Sequence, residues 1–258
     1  MSTVLAAIDD SAAARTVLET AVALADVLGA TTDALHVRED HSQSPRRAAD
    51  AACVPLREVT GDVVDQIAGA AASADVSAVV IGVRCRPAAR QPAGHVALAL
   101  MTDITKPLMV VPPHVRTHKG FRRMAVPLDG TLATAARARP AIDLAAAAGI
   151  DVVVIHVSDE DRIPPFTEQP QHETRAFAEE FLARYAPGTS VRLELRVGVP
   201  AAEVLDAAVA LDADLCALAW AQGLEPGRAQ VIKELLTHSP IPLLLLPLDG
   251  LETSAPPS

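Results

Sequence analysis

The feature that most constrains the fold of this chain is an ordered internal repeat. Four short matches keep the same order in both halves: Asp9 with Asp129 and His36 with His156, 120 positions apart, then Gly61 with Gly198 and Asp75 with Asp212, 137 positions apart. The additional 17 residues fall between the second and third apolar runs of the second copy. Matches in this order predict a tandem duplication of one domain.

Each copy alternates short apolar runs with alanine-rich segments of helical character. In the first copy we predict strands over 3–8, 32–37, 54–60, 78–82 and 108–111, and helices over 11–28, 62–73 and 94–104, with a short helix within 38–52. Half of the residues are apolar but only 2% are aromatic, a composition typical of parallel sheets covered by helices. The sequence therefore predicts an α/β fold with two tandem, five-stranded, mostly parallel sheets sandwiched by helices.

Pro112-Pro113 ends the first copy, and a basic segment with Arg116, Lys119, Arg122 and Arg123 follows. This segment is interpreted either as a binding patch or as a solvated linker, and the linker is favoured. We predict a first domain over 1–113, a linker over 114–123, a second domain over 124–248 and a disordered tail over 249–258.

Charge and hydropathy exclude several classes of partner. The net charge of −10 makes the chain a poor candidate for binding a nucleic-acid backbone, because such sites need a basic face. No apolar run approaches the ~20 residues needed to span a bilayer, and Asp9 and Asp10 interrupt the first apolar run too early for a secretory signal. We therefore expect a cytoplasmic protein without a membrane or nucleic-acid partner. The three cysteines are expected to be reduced thiols, two of them small core residues.

The stretch 78–113 has the local chemistry of a phosphate-binding loop. Gly82 ends a buried strand and Gly94 opens a helix, so backbone N–H groups and a helix dipole could face an anion. Three arginines in the intervening loop, Arg84, Arg86 and Arg90, add positive charge. The alternative is that these arginines are only solvent-exposed residues of a surface loop, or that they pair with carboxylates of this acidic protein.

Taken together, these motifs resemble the universal stress protein family. The resemblance rests on a first strand that ends in Asp, a His-Val at the end of the second strand, a glycine-containing loop before a helix, and the ending Thr237-His238-Ser239-Pro240-Ile241-Pro242 before four leucines. It covers about 3–113 and 124–247. The resemblance implies a Rossmann-like, adenine nucleotide alpha hydrolase-like fold, in which a ligand binds at the switch point between the first and fourth strands.

The resemblance also implies a set of ATP-binding residues in the first copy. They are Ala7, Asp9 and Val37 on the adenine and ribose side, with Ile81, Gly82, Arg84, Arg86, Gly94, His95 and Val96 around the phosphates. Mg²⁺ could accompany ATP, although no carboxylate ligand is identifiable. The loop departs from the family pattern, because Cys85 replaces the second glycine, the spacer before Gly94 is one residue shorter, and His95 replaces the usual hydroxyl residue.

The second copy lacks these glycines. Ala219, Gln222 and Ala229-Gln230 stand in their places, and Trp220 follows the strand end. An indole at this position fits core packing or an interface better than a phosphate site. The second copy is therefore predicted not to bind nucleotide.

The resemblance leads to two main hypotheses for function. The first is a non-catalytic stress-response module that binds ATP in its first domain, and the second is a nucleotide-free scaffold that acts through protein contacts. A third hypothesis, an enzyme such as a nucleotide hydrolase or a relative of electron-transfer flavoproteins, is disfavoured. The chain has no Gly-x4-Gly-Lys-(Ser/Thr) motif, and His36 and His156 are more simply strand-end residues that are repeated with the fold. Pairing of Val110-Val111 with Leu244-Leu245 would make an intramolecular pseudo-dimer, and a homodimer is a further expectation.

Overall fold

The computed structural model describes residues 2–38, 43–83, 95–113, 115, 120–158, 170–189, 191–220 and 230–247, in which ten strands alternate with eight helices. The first half comprises β1 (Thr3–Ala7), α1 (Ala14–Leu28), β2 (Thr31–Val37), α2 (Ser44–Ala51), β3 (Leu56–Val59), α3 (Val63–Ala71), β4 (Val76–Gly82), α4 (His95–Asp103) and β5 (Leu108–Val111). The second half comprises β6 (Arg123–Pro127), α5 (Leu132–Ala147), β7 (Asp151–Ser158), α6 (Pro170–Tyr185), β8 (Arg192–Val197), α7 (Pro200–Ala210), β9 (Leu215–Trp220), α8 (Gln230–His238) and β10 (Leu243–Pro247).

All ten strands form one continuous sheet in the order β3-β2-β1-β4-β5-β10-β9-β6-β7-β8. Strands within each half are parallel to their neighbours. The strand order reverses between β1 and β4 in the first half, and between β6 and β9 in the second. The predicted α/β fold with a duplicated, mostly parallel sheet is confirmed.

The two halves meet through the antiparallel pair β5 and β10, the central seam of the sheet. Val110 pairs with Leu243, Met109 with Leu244 and Leu108 with Leu245. This is the intramolecular pairing expected from the sequence, but shifted from the expected register, so that Val111 lies beyond the paired segment. Because the seam is antiparallel, the carboxyl ends of the first five strands and of the last five lie at opposite edges of the sheet.

Two hydrophobic clusters cover the two faces of the sheet. Helices α1, α2, α5 and α6 pack on one face, which contains the fully buried Leu18 and Ile142. Helices α3, α4, α7 and α8 pack on the other face, called here the α3 face, which contains the fully buried Leu100 and Leu235. Alanines at the helix–sheet contacts, such as Ala21 and Ala207, allow close approach with few aromatic side chains.

Several local expectations can be compared with the helix ends. The sequence predicts a helix over 11–28 that is capped by Ser11 and ended by Gly29. Gly29 does end α1, in the left-handed conformation at φ 60°, but the N-cap is Ala13 and the helix begins only at Ala14. Asp62 caps α3 by accepting from the N–H groups of Val64 and Asp65.

The two cysteines within the described residues differ in burial. Cys216 is buried in β9, as expected for a core residue. Cys53 is exposed, and its φ is positive, at 54°. It is therefore not one of the two core cysteines that the sequence predicts. Its location just after α2 explains the exposure. Among the described helices, none is both long and apolar enough to cross a membrane.

Candidate functional site

The carboxyl ends of β1, β2 and β4 bring together three of the residues predicted to bind nucleotide. Ala7 pairs with Leu35 on one side and with Ile81 on the other. Val37 lies two residues beyond Leu35 and therefore on the same α3 face of the sheet. Ala7 is half-buried, whereas Val37 and Ile81 are buried. These side chains form an apolar surface at the switch point of the first half, where α/β sheets bind ligands.

The remaining predicted residues follow β4. Gly82 is exposed at the end of that strand. Arg84, Arg86 and Gly94 lie outside the described residues, as do Cys85 and Arg90. His95 is the first residue of α4, and Val96 packs half-buried against the cluster on the α3 face. The geometry of the predicted phosphate loop itself is therefore still a prediction.

Gly82 also has a packing reason to be glycine. A Cβ at this position would lie 3.0 Å from Cγ2 of Val17, a residue of α1. Such a contact is tighter than most Cβ contacts in proteins, so a larger residue would require the Val17 side chain to shift by a few tenths of an ångström. The equivalent residue in the second half is Ala219, and Arg137 stands there in place of Val17. The glycine thus permits helix–sheet contact in the first half, independently of any ligand.

The carboxylate of Asp9 organises the turn between β1 and α1. Its Oδ1 accepts from the backbone N–H of Ser11 at 2.9 Å and from the Ser11 hydroxyl at 2.5 Å. Asp129 makes the same two contacts with Thr131, at 2.9 and 2.8 Å. Because both halves share this turn, the aspartate that the resemblance assigns to the ribose also serves the fold.

His36 is fixed by a backbone contact and is almost completely buried. Its Nδ1 lies 3.0 Å from the carbonyl oxygen of Ile8, so Nδ1 must carry the proton and donate. His156 makes the equivalent contact with Leu128 at 2.9 Å. The other ring nitrogen of His36, Nε2, lies 3.9 Å from Oδ1 of Asp10. At 3% exposure His36 cannot reach a solvent-borne substrate, which opposes a role as a general base.

In the second half, aromatic residues occupy the surroundings of the equivalent histidine. The His156 ring lies 4.6 Å from the Phe181 ring, and Phe181 lies 4.6 Å from Tyr185 along α6. The first half has the eight-residue α2 at this point in the chain, with no aromatic residue. The longer connection of the second copy therefore supplies core packing around its histidine.

Trp220 is a core residue at the contact between the halves, as its bulk suggested. It is 2% exposed, and its Nε1 donates to the carbonyl of Met101 in α4 at 2.9 Å. This partner was not predictable from the sequence, because the two residues are 119 positions apart.

The basic segment before β6 contains two arginines with structural contacts. The buried carboxylate of Asp214 accepts from the backbone N–H of Arg122 at 2.6 Å and of Arg123 at 2.9 Å. The Arg122 side chain also lies 3.6 Å from Asp214, and the Arg123 side chain donates to Asp151 at 2.7 Å. These contacts favour a structural role for the two arginines over a binding patch. Arg116 and Lys119 lie outside the described residues.

Metal ligands are not clustered in the part of the chain that the structure describes. No group of three or more histidine, cysteine, aspartate or glutamate side chains there could hold a metal ion.

Comparisons with known proteins agree with this architecture. The model of the universal stress protein family matches residues 120–247. Similar solved structures include a universal stress protein from Archaeoglobus fulgidus DSM 4304, with 19% identity, 96% of this chain and 98% of that chain covered, and a TM-score of 0.65. Another is a protein of unknown function from Pseudomonas aeruginosa PAO1, with 16% identity, 96% and 92% coverage, and a TM-score of 0.67.

At these identities the two structures show a shared fold. A search of curated proteins found no match. The family match to residues 120–247, with the same strand order in the first half, makes this chain a member of the universal stress protein family.

Proposed function

We propose that this protein is a tandem, non-catalytic stress-response module of the cytoplasm that binds an adenine nucleotide in its first half. The observation that carries the proposal is the apolar surface formed by Ala7, Val37 and Ile81 at the first switch point. An adenine ring needs such a surface, and parallel sheets bind ligands at this edge. We further propose that residues 1–113 and 124–248 are the two domains of the module, joined along the β5–β10 pair.

In this proposal different residues of the first half contact the base, the ribose and the phosphates of the nucleotide. Ala7, Val37 and Ile81 contact the base, and Asp9 faces the ribose. The phosphates are surrounded by Gly82, Arg84, Arg86, Gly94, His95 and Val96. A bound ATP would bring Mg²⁺ with it, held mainly by phosphate oxygens and water.

The second half is proposed not to bind nucleotide. Pro127 takes the place of Ala7 and Ala219 takes the place of Gly82. A proline ring at the strand end reduces the space available to a base, and a Cβ at Ala219 restricts the approach of a phosphate. Trp220, which follows Ala219, is committed to its contact with Met101.

The non-catalytic part of the proposal rests on the histidines. The Nδ1 atoms of His36 and His156 are both held by backbone carbonyls. Asp9 and Asp129 are both engaged in turns. The polar residues repeated at the two carboxyl edges thus have contacts that serve the fold, which supports binding without turnover.

A scaffold without nucleotide is the second candidate. It is favoured by the packing role of Gly82 against Val17, which explains that glycine without a phosphate. In this case both halves act through protein contacts, in a monomer or in a homodimer.

The two candidates are separated by calorimetry with ATP and by the nucleotide content of the purified protein. We expect nucleotide released on denaturation, with absorbance near 260 nm, and saturable heat with ATP. Ala7→Leu should weaken ATP binding by filling the base surface, and Arg86→Ala should weaken it through the phosphates. Pro127→Leu, at the matching position of the second half, is the control and should leave ATP binding unchanged.

Absence of both bound nucleotide and ATP heat would refute the nucleotide proposal and leave the scaffold. Binding that survives Ala7→Leu but is lost in Pro127→Leu would place the nucleotide in the second half instead. Steady phosphate release that is abolished by Asp9→Asn would overturn the non-catalytic assignment.

A further inference from the structure

A groove of about 330 Å³ lies at the amino edge of the first half, opposite the edge considered for nucleotide. It is bounded by α3 and by the amino ends of β1, β2, β3 and β4. Leu5 and Val76, both of the cluster on the α3 face, form a buried apolar floor. Asp33 and Arg57 line the groove with exposed, charged side chains. The volume is within the range of sites for small molecules.

The two charged residues point to the same face of the sheet. Asp33 pairs with Leu5 across β1 and β2, and Arg57 pairs with Leu35 across β2 and β3. Leu5 and Leu35 belong to the cluster on the α3 face, so Asp33 and Arg57 project towards α3. Within the described part of the chain, neither side chain has an ion pair or hydrogen bond. The groove thus presents one carboxylate and one guanidinium that are not paired with each other.

Asp75, at the same edge, is already engaged. Its carboxylate accepts from the Ser73 hydroxyl, which lowers the pKa of Asp75. Lys106 donates to the Ser73 carbonyl, and its charge lowers the pKa of Asp75 further. The charge of Asp75 is thereby offset locally, and the groove as a whole offers one free positive and one free negative group.

At the equivalent amino edge of the second half, a network of charged side chains occupies the place of the groove. Arg123 donates to Asp151 at 2.7 Å, and Arg192 donates to the same carboxylate at 2.6 Å. The guanidinium of Arg123 also donates to the carbonyl of Leu211 in the turn after α7. This network ties the amino ends of β6, β7 and β8 together.

The first half has replaced every member of that network. Its equivalents of Arg123, Asp151 and Arg192 are Thr3, Thr31 and Pro55. Thr3 and Thr31 make only a 3.4 Å hydroxyl contact. The shorter side chains leave the space that forms the groove.

The charged groups of the groove are also specific to the first half. The equivalent of Asp33 is Val153, which is 2% exposed, and the equivalent of Arg57 is Glu194, which pairs with Arg196 at 2.9 Å. The same fold therefore packs at this place without a free carboxylate or guanidinium. The fold shared by the two halves therefore does not require the charges of Asp33 and Arg57, which are both exposed.

We propose that this groove binds a free α-amino acid with a small apolar side chain. The guanidinium of Arg57 matches a carboxylate in bidentate geometry, and the carboxylate of Asp33 accepts from an ammonium group. The apolar floor of Leu5 and Val76 receives the side chain of the ligand. A zwitterion satisfies both charges and leaves the groove neutral.

The test is calorimetry of the full chain with L-valine, N-acetyl-L-valine and L-valinamide. The first analogue lacks the ammonium group and the second lacks the carboxylate. We expect saturable binding of L-valine and about tenfold or weaker binding of each analogue. Asp33→Val, which installs the residue of the second half, and Arg57→Gln should each weaken L-valine binding by about tenfold or more.

Asp143→Asn, an exposed change in α5, is the matched control and should leave L-valine binding unchanged. Circular dichroism of each variant establishes that it is folded. Absence of heat with L-valine overturns the proposal, as does binding that survives both Asp33→Val and Arg57→Gln. Equal affinity for L-valine and both analogues would also overturn it, because neither charge would then be recognised.

Discussion

The indole Nε1 of Trp220, at the end of β9, donates a hydrogen bond to the carbonyl oxygen of Met101 in α4 at 2.9 Å. Met101 lies two residues before the end of α4 at Asp103, so its carbonyl is one of the last four, which have no acceptor role within the helix. A residue of the second half thus completes the hydrogen bonding of a helix in the first half. The contact joins the halves on the α3 face, beside the β5–β10 pair.

Replacing Trp220 by phenylalanine should destabilise the protein. Phenylalanine keeps an aromatic ring but leaves the buried carbonyl of Met101 without its donor, at a cost of about 1–3 kcal/mol. Urea denaturation followed by far-UV circular dichroism measures the change in the free energy of unfolding. An unchanged free energy of unfolding would show that water or another group satisfies this carbonyl.

The thiol of Cys216 should be inert in the native protein. Burial raises the pKa of Cys216 to about 12, so the thiolate is rare at pH 8. In a Cys85→Ala background, a thiol-reactive dye should label one cysteine, the exposed Cys53, in the native state and two after denaturation. Fast labelling of two thiols before denaturation would contradict the buried position of Cys216.

Asp151 should contribute stability that disappears in acid. The hydrogen bonds from Arg123, with a smaller effect from Arg192, lower the pKa of Asp151 below its usual value of 3.8. A lowered folded-state pKa means that the contribution is fully present above the unfolded-state pKa and is lost as the pH falls through the folded-state pKa.

Asp151→Asn should therefore reduce the free energy of unfolding at pH 7 by about 1 kcal/mol, a modest value because the carboxylate is partly exposed. The difference from the unmodified protein should shrink below about pH 4. Asp143→Asn, at an exposed pair with Arg139, is the control and should have a smaller effect at pH 7. A difference that is constant from pH 7 to pH 3 would rule out the ion-pair origin.

Asp214→Ala should be more disruptive than changes at neighbouring acidic residues. The change leaves the N–H groups of Arg122 and Arg123 without their acceptor at the start of β6, and each unsatisfied group that stays buried costs about 1–3 kcal/mol. Asp212 has a positive φ of 51°, so the control is Asp212→Asn, because asparagine also tolerates this conformation. It weakens only an exposed ion pair with Arg122 and should change the stability by less than about 1 kcal/mol. Thermal unfolding of the two variants compares them directly. Equal melting temperatures would show that Asp214 does not anchor the second half.

The duplicated fold was predictable from the sequence because its signals are local. Strands are indicated by apolar runs, the end of α1 by the glycine that follows it, and strand ends by the repeated Asp and His. The start of α1 was less predictable, since Ser11 closes a turn with Asp9 instead of capping the helix. The seam was predicted only as a pair of strands, because register depends on side-chain packing from both halves.

The sites were less predictable because they combine distant residues. Sequence comparison with a family places Ala7, Val37 and Ile81 together, and the structure does bring them to one edge. The sequence comparison does not show that Gly82 also packs closely against Val17. In the sequence, the amino-edge groove is indicated only by Asp33, a charged residue within an apolar strand. The groove itself becomes apparent only when Thr31 and Pro55 are compared with their equivalents in the second half, Asp151 and Arg192.

The antiparallel seam has a consequence for how the molecule meets other molecules. Ten strands at the usual spacing give a sheet about 40 Å wide, and the switch points of the two halves open in opposite directions. A small partner that docks at the first switch point cannot simultaneously touch the second. The duplication therefore places two potential binding sites at a fixed separation on opposite edges of one sheet. Each site can change its chemistry in evolution without affecting the other.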